Sequence, residues 1–211
     1  MNISRQSSHC QGFSLVEMMV SITIGLVLTA GILTLFQNTL QNNRDLATGK
    51  QLEGELHATL DLIARDLRRA GAMGNPLRQL EGVANPFIID APSAYTGEAA
   101  NSCLTFGYDF NGNGSVNSAT PDERYGYRLR QGVVQMRTGG QACTANTTAW
   151  NNVTTAALVQ VTSLQFTVTS TTSLRVTERI AVVSIAGRLI RDNTVTRALS
   201  RAVRLRNDGY S

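Results

Sequence analysis

Histidine is almost missing from these 211 residues: only His9 and His57 occur, far apart in the chain. A zinc site draws on several His or Cys side chains at short spacing, and a Ser-His-Asp triad needs a positioned imidazole. Two distant histidines supply neither. His57 falls beside an apolar helical stripe and reads as a partly exposed helix residue. The chain has no G-x-S-x-G elbow, no P-loop and no dinucleotide fingerprint. Gly49-Lys50 lacks the earlier glycine that a P-loop requires. These absences point away from an enzyme. Aromatics make up 6% of the chain, and Trp150 is the sole tryptophan. It sits in a polar stretch, where packing onto a sheet is favoured over a partner contact. Charge is sparse and mildly positive: 19 Lys+Arg against 15 Asp+Glu, a net +4, with no run of five like charges. That balance alone does not argue for nucleic acid.

What the chain does have is concentrated near its start. From Gly12 to Phe36 the only charged side chain is Glu17. A helix crosses a bilayer with about 20 such residues. A carboxylate deep in hydrocarbon costs about 2.5–3.5 kcal/mol on insertion scales, so Glu17 calls for a partner. A secretory signal peptide would end in an A-x-A-like cut site, of which Leu28-Thr29-Ala30 is a poor version. A plain signal anchor is the other alternative. Neither accounts for Glu17 or for Gly12-Phe13.

Gly12, Phe13 and Glu17, with Ser14, Leu15, Val16 and Met18 around them, resemble the start of type IV pilins and type II secretion pseudopilins. The signature is a short polar leader ending in glycine, then Phe, then Glu at the fifth mature position, then an apolar helix. The resemblance implies that a prepilin peptidase cuts between Gly12 and Phe13 and N-methylates Phe13. It gives Glu17 a partner, the N-terminal amine of the neighbouring subunit. An ion pair in low dielectric is strong and a missing partner is costly, so Glu17 would fix subunit register.

The apolar pattern turns amphipathic after Phe36. Leu52, Leu56, Leu60, Ile63 and Leu67 recur as one helical stripe. Arg65, Arg68 and Arg69 crowd the last turns, where cations suit the helix dipole. Gly71, Gly74 and Asn75-Pro76 then stop the helix. One helix is expected from about 14 to 70, roughly 85 Å long. Residues 71–100 read as a loop-rich connection with one short strand at 87–89. Beyond Cys103 the period changes to two. A strand is expected from Leu104 to Phe110. Residues 125–129 and 133–137 read as a hairpin around Arg130-Gln131-Gly132. Residues 138–157 read as a long loop. One or two further strands are expected over 159–168, and two more over 179–190 and 195–205. The expected class is α+β, a long N-terminal helix packed on a C-terminal antiparallel β-sheet domain. The divisions are a leader (1–12), a transmembrane or assembly half-helix (13–36), an amphipathic half-helix (37–70) and a periplasmic β domain (71–211).

Three further segments narrow the resemblance. Residues 123–129 (ERYGYRL) followed by Gly132-Val133-Val134 resemble the hairpin of J-class pseudopilins and PilW-type minor pilins. Residues 63–71 (IARDLRRAG) resemble the helix end of that family, and residues 203–207 (VRLRN) its ending. The implied protein is a non-catalytic minor pilin that initiates, assembles or tips a type IV pilus. Its implied partners are other minor pilins, the major pilin, the prepilin peptidase, inner-membrane lipid before assembly, and a tip adhesin. The implied place is the bacterial inner membrane, single-pass, with the β domain in the periplasm, and then the fibre. The alternatives are a type II secretion pseudopilin and a DNA-binding competence pilin. The second would use Arg175, Arg179, Arg188, Arg191, Arg197, Arg201, Arg204 and Arg206.

Cys10 would leave with the leader. Cys103 and Cys143 remain as an exported pair, read as a disulfide, with two free thiols as the alternative. Residues 109–114 follow the start of a calcium loop, D-x-N-x-N-G. Asp109, Asn111 and Asn113 would offer side chains and Ser115 a carbonyl. Thr120 stands where a bidentate Glu belongs, so Asp122 or Glu123 would close a weak site. The alternative is a polar turn between strands. No other cofactor is expected.

Overall fold

The structure is a computed structural model that describes residue 12 and residues 14–117, 121–173, 176–205 and 209–210. Phe13, Thr120, Arg175 and Arg206 lie outside the described residues. The chain divides into two compact units, 1–47 and 48–211. One helix, α1 (Leu15–Leu67), runs through both.

In the first unit the described part of α1 has no core of its own. Leu15, Val16, Met18, Met19, Ile22, Ile24 and Leu26 are more than half exposed, and so are Leu33, Leu35 and Phe36. By length and composition this helix can cross a membrane. Its hydroxyls are already satisfied. Ser21 donates to the Glu17 carbonyl, Thr23 to Val20, Thr29 to Gly25, Thr34 to Gly31 and Thr39 to Leu35, all at 2.7–2.9 Å. Back-bonding of this kind leaves no hydroxyl donor of this stretch to be desolvated.

In the second unit the helix becomes one-sided. Leu52, Leu56, Ile63 and Leu67 are 0% exposed and Leu60 2%. Fully burying one such side chain contributes about 1.5–3 kcal/mol. After Leu67 the bonds tighten to three-residue steps, Arg69 N to Asp66 O and Ala70 N to Leu67 O, as helix ends commonly do. A single further turn, α2 (Leu77–Leu80), follows.

Two antiparallel sheets receive the leucine stripe. The first holds β1 (Cys103–Gly107), β2 (Arg124–Arg130), β3 (Val133–Arg137) and β4 (Trp150–Asn152), in that order. The second holds β5 (Val159–Ser173), β6 (Val176–Leu189) and β7 (Thr196–Arg204), with β8 (Gly209–Tyr210) also pairing β6. The β2–β3 hairpin turns on Gln131 (φ 51°) and Gly132 (φ 77°). Positive φ at both central residues is the type I′ geometry that suits strand twist. The core joins Leu104, Phe106, Tyr127, Leu129 and Val134 of the first sheet to Val159, Val161, Leu164, Phe166, Val183 and Ile185 of the second, around the stripe.

The sequence expectations need four corrections in detail. The first strand stops at Gly107: Tyr108 is buried, but Phe110 is 57% exposed. Alternation there continues into a loop held by side-chain bonds. Residues 87–89 form only an isolated bridge, Ile89 to Phe106. The 138–157 stretch contains β4, a three-residue strand too short to show a period. The strand expected at 159–168 runs on to Ser173, as one partner of a long hairpin with a bulge between Val161 and Ser163. Thr and Ser dominate its outer half, so apolar alternation fades while the backbone ladder continues.

Candidate functional site

Glu17 lies in the first turn of α1 and is exposed. A carboxylate there is favoured by the helix N-terminus. It makes none of the described ion pairs. Gly12 is exposed just ahead of the helix. The peptide after Gly12 leads to Phe13, outside the described residues.

At the other end of α1, a carboxylate-held loop ties the helix to the first sheet. Gly71 N donates to Gly107 O at 2.8 Å, and Asp109 N to Ala72 O at 2.8 Å. Asp109 then accepts three main-chain N–H groups. Gly74 and Gly114 donate to Oδ2 at 2.9 and 2.8 Å, and Gly112 donates to Oδ1 at 2.7 Å. Burial alone would raise its pKa, but the N–H groups of Gly74, Gly114, Gly112 and Asn113 outweigh that and hold it below the usual carboxylate value. The two segments meet closely: a Cβ on Gly74 would stand 2.6 Å from the Gly112 Cα. Arg69 stacks over Tyr108, 4.2 Å from the ring centre, and Tyr108 stacks on Tyr125 at 4.1 Å.

The oxygens offered for calcium are therefore engaged. Asn111 Oδ1 accepts from Asn113 N, and Asn113 Oδ1 from Ser115 N. Asp122 forms a two-point pair with Arg124 at 2.7–3.0 Å. Glu123, 0% exposed, accepts N–H bonds from Phe110, Asn111 and Asn117. Among the described residues no group of three or more His, Cys, Asp or Glu could hold a metal ion. Glu123 as the buried pin of the loop was missed in the sequence. Its only local signal is a carboxylate nine residues beyond the Asn-Gly repeats.

Cys103 and Cys143 are joined, closing a separation of 40 residues. Trp150 is buried with them in one small apolar cluster. Its ring lies 4.2 Å from the Arg128 guanidinium, so it packs within the domain. His57 is 46% exposed and faces Glu53 one turn earlier, at 3.8 Å.

The three arginines of β7 do not share one face. On β7, Arg197 and Arg201 alternate onto one side and Arg204 onto the other. Arg201 pairs with Asp61 of α1 and Arg204 with Glu178 at 2.9 Å. Arg188 donates to Gln160 at 2.9 Å.

A long helix that is apolar and unburied in one half, and one-sided over a two-sheet domain in the other, is the architecture of a pilin-like protein. The family comparisons agree at both ends. Residues 7–33 match the prokaryotic N-terminal methylation motif. Residues 45–205 match the family described as prepilin peptidase-dependent protein B, and the chain belongs to that family. It is also 28% identical over 123 residues to an uncharacterized protein of Haemophilus influenzae, covering 46% of this chain and 52% of that one. The chain thus spans about half the length of this curated relative. No solved structure matches.

Proposed function

We propose that this protein is a minor pilin of the PilW type, a structural, non-catalytic subunit that initiates or tips a type IV pilus. The observation that supports this reading is the union, in one chain, of the methylation motif and the prepilin peptidase-dependent B domain. The subunit would insert once in the inner membrane, be cut after Gly12 and be methylated on Phe13. It would then pass into a bundle of homologous helices, with Glu17 pairing with the neighbouring N-terminus. Deleting the gene and scoring both twitching and protein secretion tests the assignment. Loss of twitching with secretion intact supports the pilus, whereas the reverse result assigns the chain to a type II secretion fibre.

Calcium at the Asp109 loop is a second proposal. Asp109, Asn111 and Asn113 turn their side chains into one short loop, and the Oδ1 atom of each accepts a single N–H and keeps a second lone pair. With a single carboxylate among them, binding would be weak. Calorimetry on the full chain with millimolar calcium decides it: saturable heat supports the site, and no heat removes it.

A further inference from the structure

Arg128 is a buried cation held without a carboxylate. It is 0% exposed and makes none of the described ion pairs. Its guanidinium lies 4.2 Å from the Trp150 ring centre and 4.9 Å from that of Tyr95. Nε donates to Gln135 Oε1 at 2.9 Å. Nη1 donates to the carbonyls of Cys143 and Ala145, both at 2.7 Å. Nη2 has no hydrogen-bond partner. Burial, with Arg130 nearby, lowers its pKa to about 10, which still leaves it charged at neutral pH. A buried charge with an unsatisfied N–H is costly, and the bonds of Nε and Nη1 are what offset it here.

What it holds is the main chain at Cys143. Residues 138–149 are mostly Thr, Gly, Ala and Asn, with little apolar surface to draw them onto the sheet. Cys103 is the register partner of Arg128 across the β1–β2 ladder, so the two side chains share a face. One side chain therefore stands opposite the first cysteine and grips the backbone of the second.

We propose that Arg128 is the positioning residue for closure of the Cys103–Cys143 bridge. In the reduced chain its guanidinium holds the Cys143 carbonyl and delivers the Cys143 thiol to Cys103. The oxidant is a disulfide donor. The Cys143 thiolate first exchanges with the donor disulfide, forming a mixed disulfide and releasing one donor thiolate. The Cys103 thiol then loses its proton, and the thiolate attacks Cys143 Sγ. The Cys103–Cys143 bond forms, the bond from Cys143 to the donor breaks, and the second donor sulfur leaves as thiolate. The protein gives up two electrons and two protons; the donor takes both electrons and its sulfurs take the protons. A neighbouring guanidinium also favours the attacking thiolate. The proposal is independent of which fibre the subunit serves.

The test uses the full chain in detergent, with Cys10→Ser in every variant so that only Cys103 and Cys143 report. The protein is reduced without denaturant and re-oxidised with oxidised glutathione. Free thiols and mixed disulfides are trapped by alkylation and counted by mass spectrometry, in native buffer and in concentrated guanidinium chloride. We expect Arg128→Met to close at least about tenfold more slowly than wild type in native buffer, since charge-assisted hydrogen bonds are lost. The Cys143–glutathione adduct should accumulate. In denaturant, where the grip has no geometry, the rates should coincide. Arg128→Lys keeps the charge but not the planar fork, and should also close slowly. It decides the case if Arg128→Met does not fold. Wild-type closure by a variant that is folded by near-UV circular dichroism overturns the proposal.

Discussion

Glu17 and Asp109 are both carboxylates, but one makes no ion pair among the described residues and the other is wrapped by three N–H groups, two from its own loop and one from Gly74. Glu17 has no side-chain bond to lose among the described residues, so Glu17→Ala should leave helix formation, insertion and leader cleavage intact while assembly falls. Immunoblotting of sheared fibres against whole-cell processed subunit checks this, and normal fibre incorporation would refute the registry role. Asp109→Ala strips three donors of their acceptor. Because the loop is partly exposed, water replaces some of the loss, and we expect a cost of roughly 1 kcal/mol. The folded pKa of Asp109 is depressed. Its contribution is therefore complete above the unfolded value of about 3.9 and is lost as pH falls through the folded pKa. Melting curves at neutral pH and at about pH 3 should show the wild type losing more on acidification than the alanine variant.

At the scale of elements, α1 is the spine of the second unit. Leu60→Ala opens a cavity between the helix and both sheets, and should destabilise by about 2–5 kcal/mol in chemical denaturation. A loss below about 1 kcal/mol would mean the stripe can collapse around the gap. The helix, its stripe and its stop were legible because periodicity and end signals are local. The β2–β3 hairpin was legible for the same reason, since Arg130-Gln131-Gly132 carries its own turn geometry. β4 was not, because three residues cannot display a period. Neither was the role of Arg128. A surface arginine and a clamped one look alike in sequence, and what distinguishes them here is Trp150, Tyr95 and the Cys143 carbonyl, all distant along the chain. The calcium-like string was legible as a loop, but its oxygens turn to N–H groups supplied partly by Gly74, 35 residues earlier.

Taken whole, the chain combines a helix without a core and a domain with one. The Cys103–Cys143 bridge closes a 40-residue separation in the domain alone. In the chain-entropy view such a bridge contributes about 4 kcal/mol. Cys103→Ala should lower the denaturant midpoint of the domain accordingly, and leave the far-UV helical signal of the apolar half unchanged. A loss of both signals together would show that the halves fold as one cooperative unit.

Five back-bonded hydroxyls in the first-unit part of α1 carry a last consequence. Ser21, Thr23, Thr29, Thr34 and Thr39 spend their donors on the helix's own carbonyls. In the proposed passage from lipid tails to neighbouring helices, those side chains would lose no hydrogen bond, so they would add no polar penalty to the exchange. Under that proposal, the bias that sets the direction of travel would come from helix packing, from the one carboxylate near the helix tip and from the domain the helix carries.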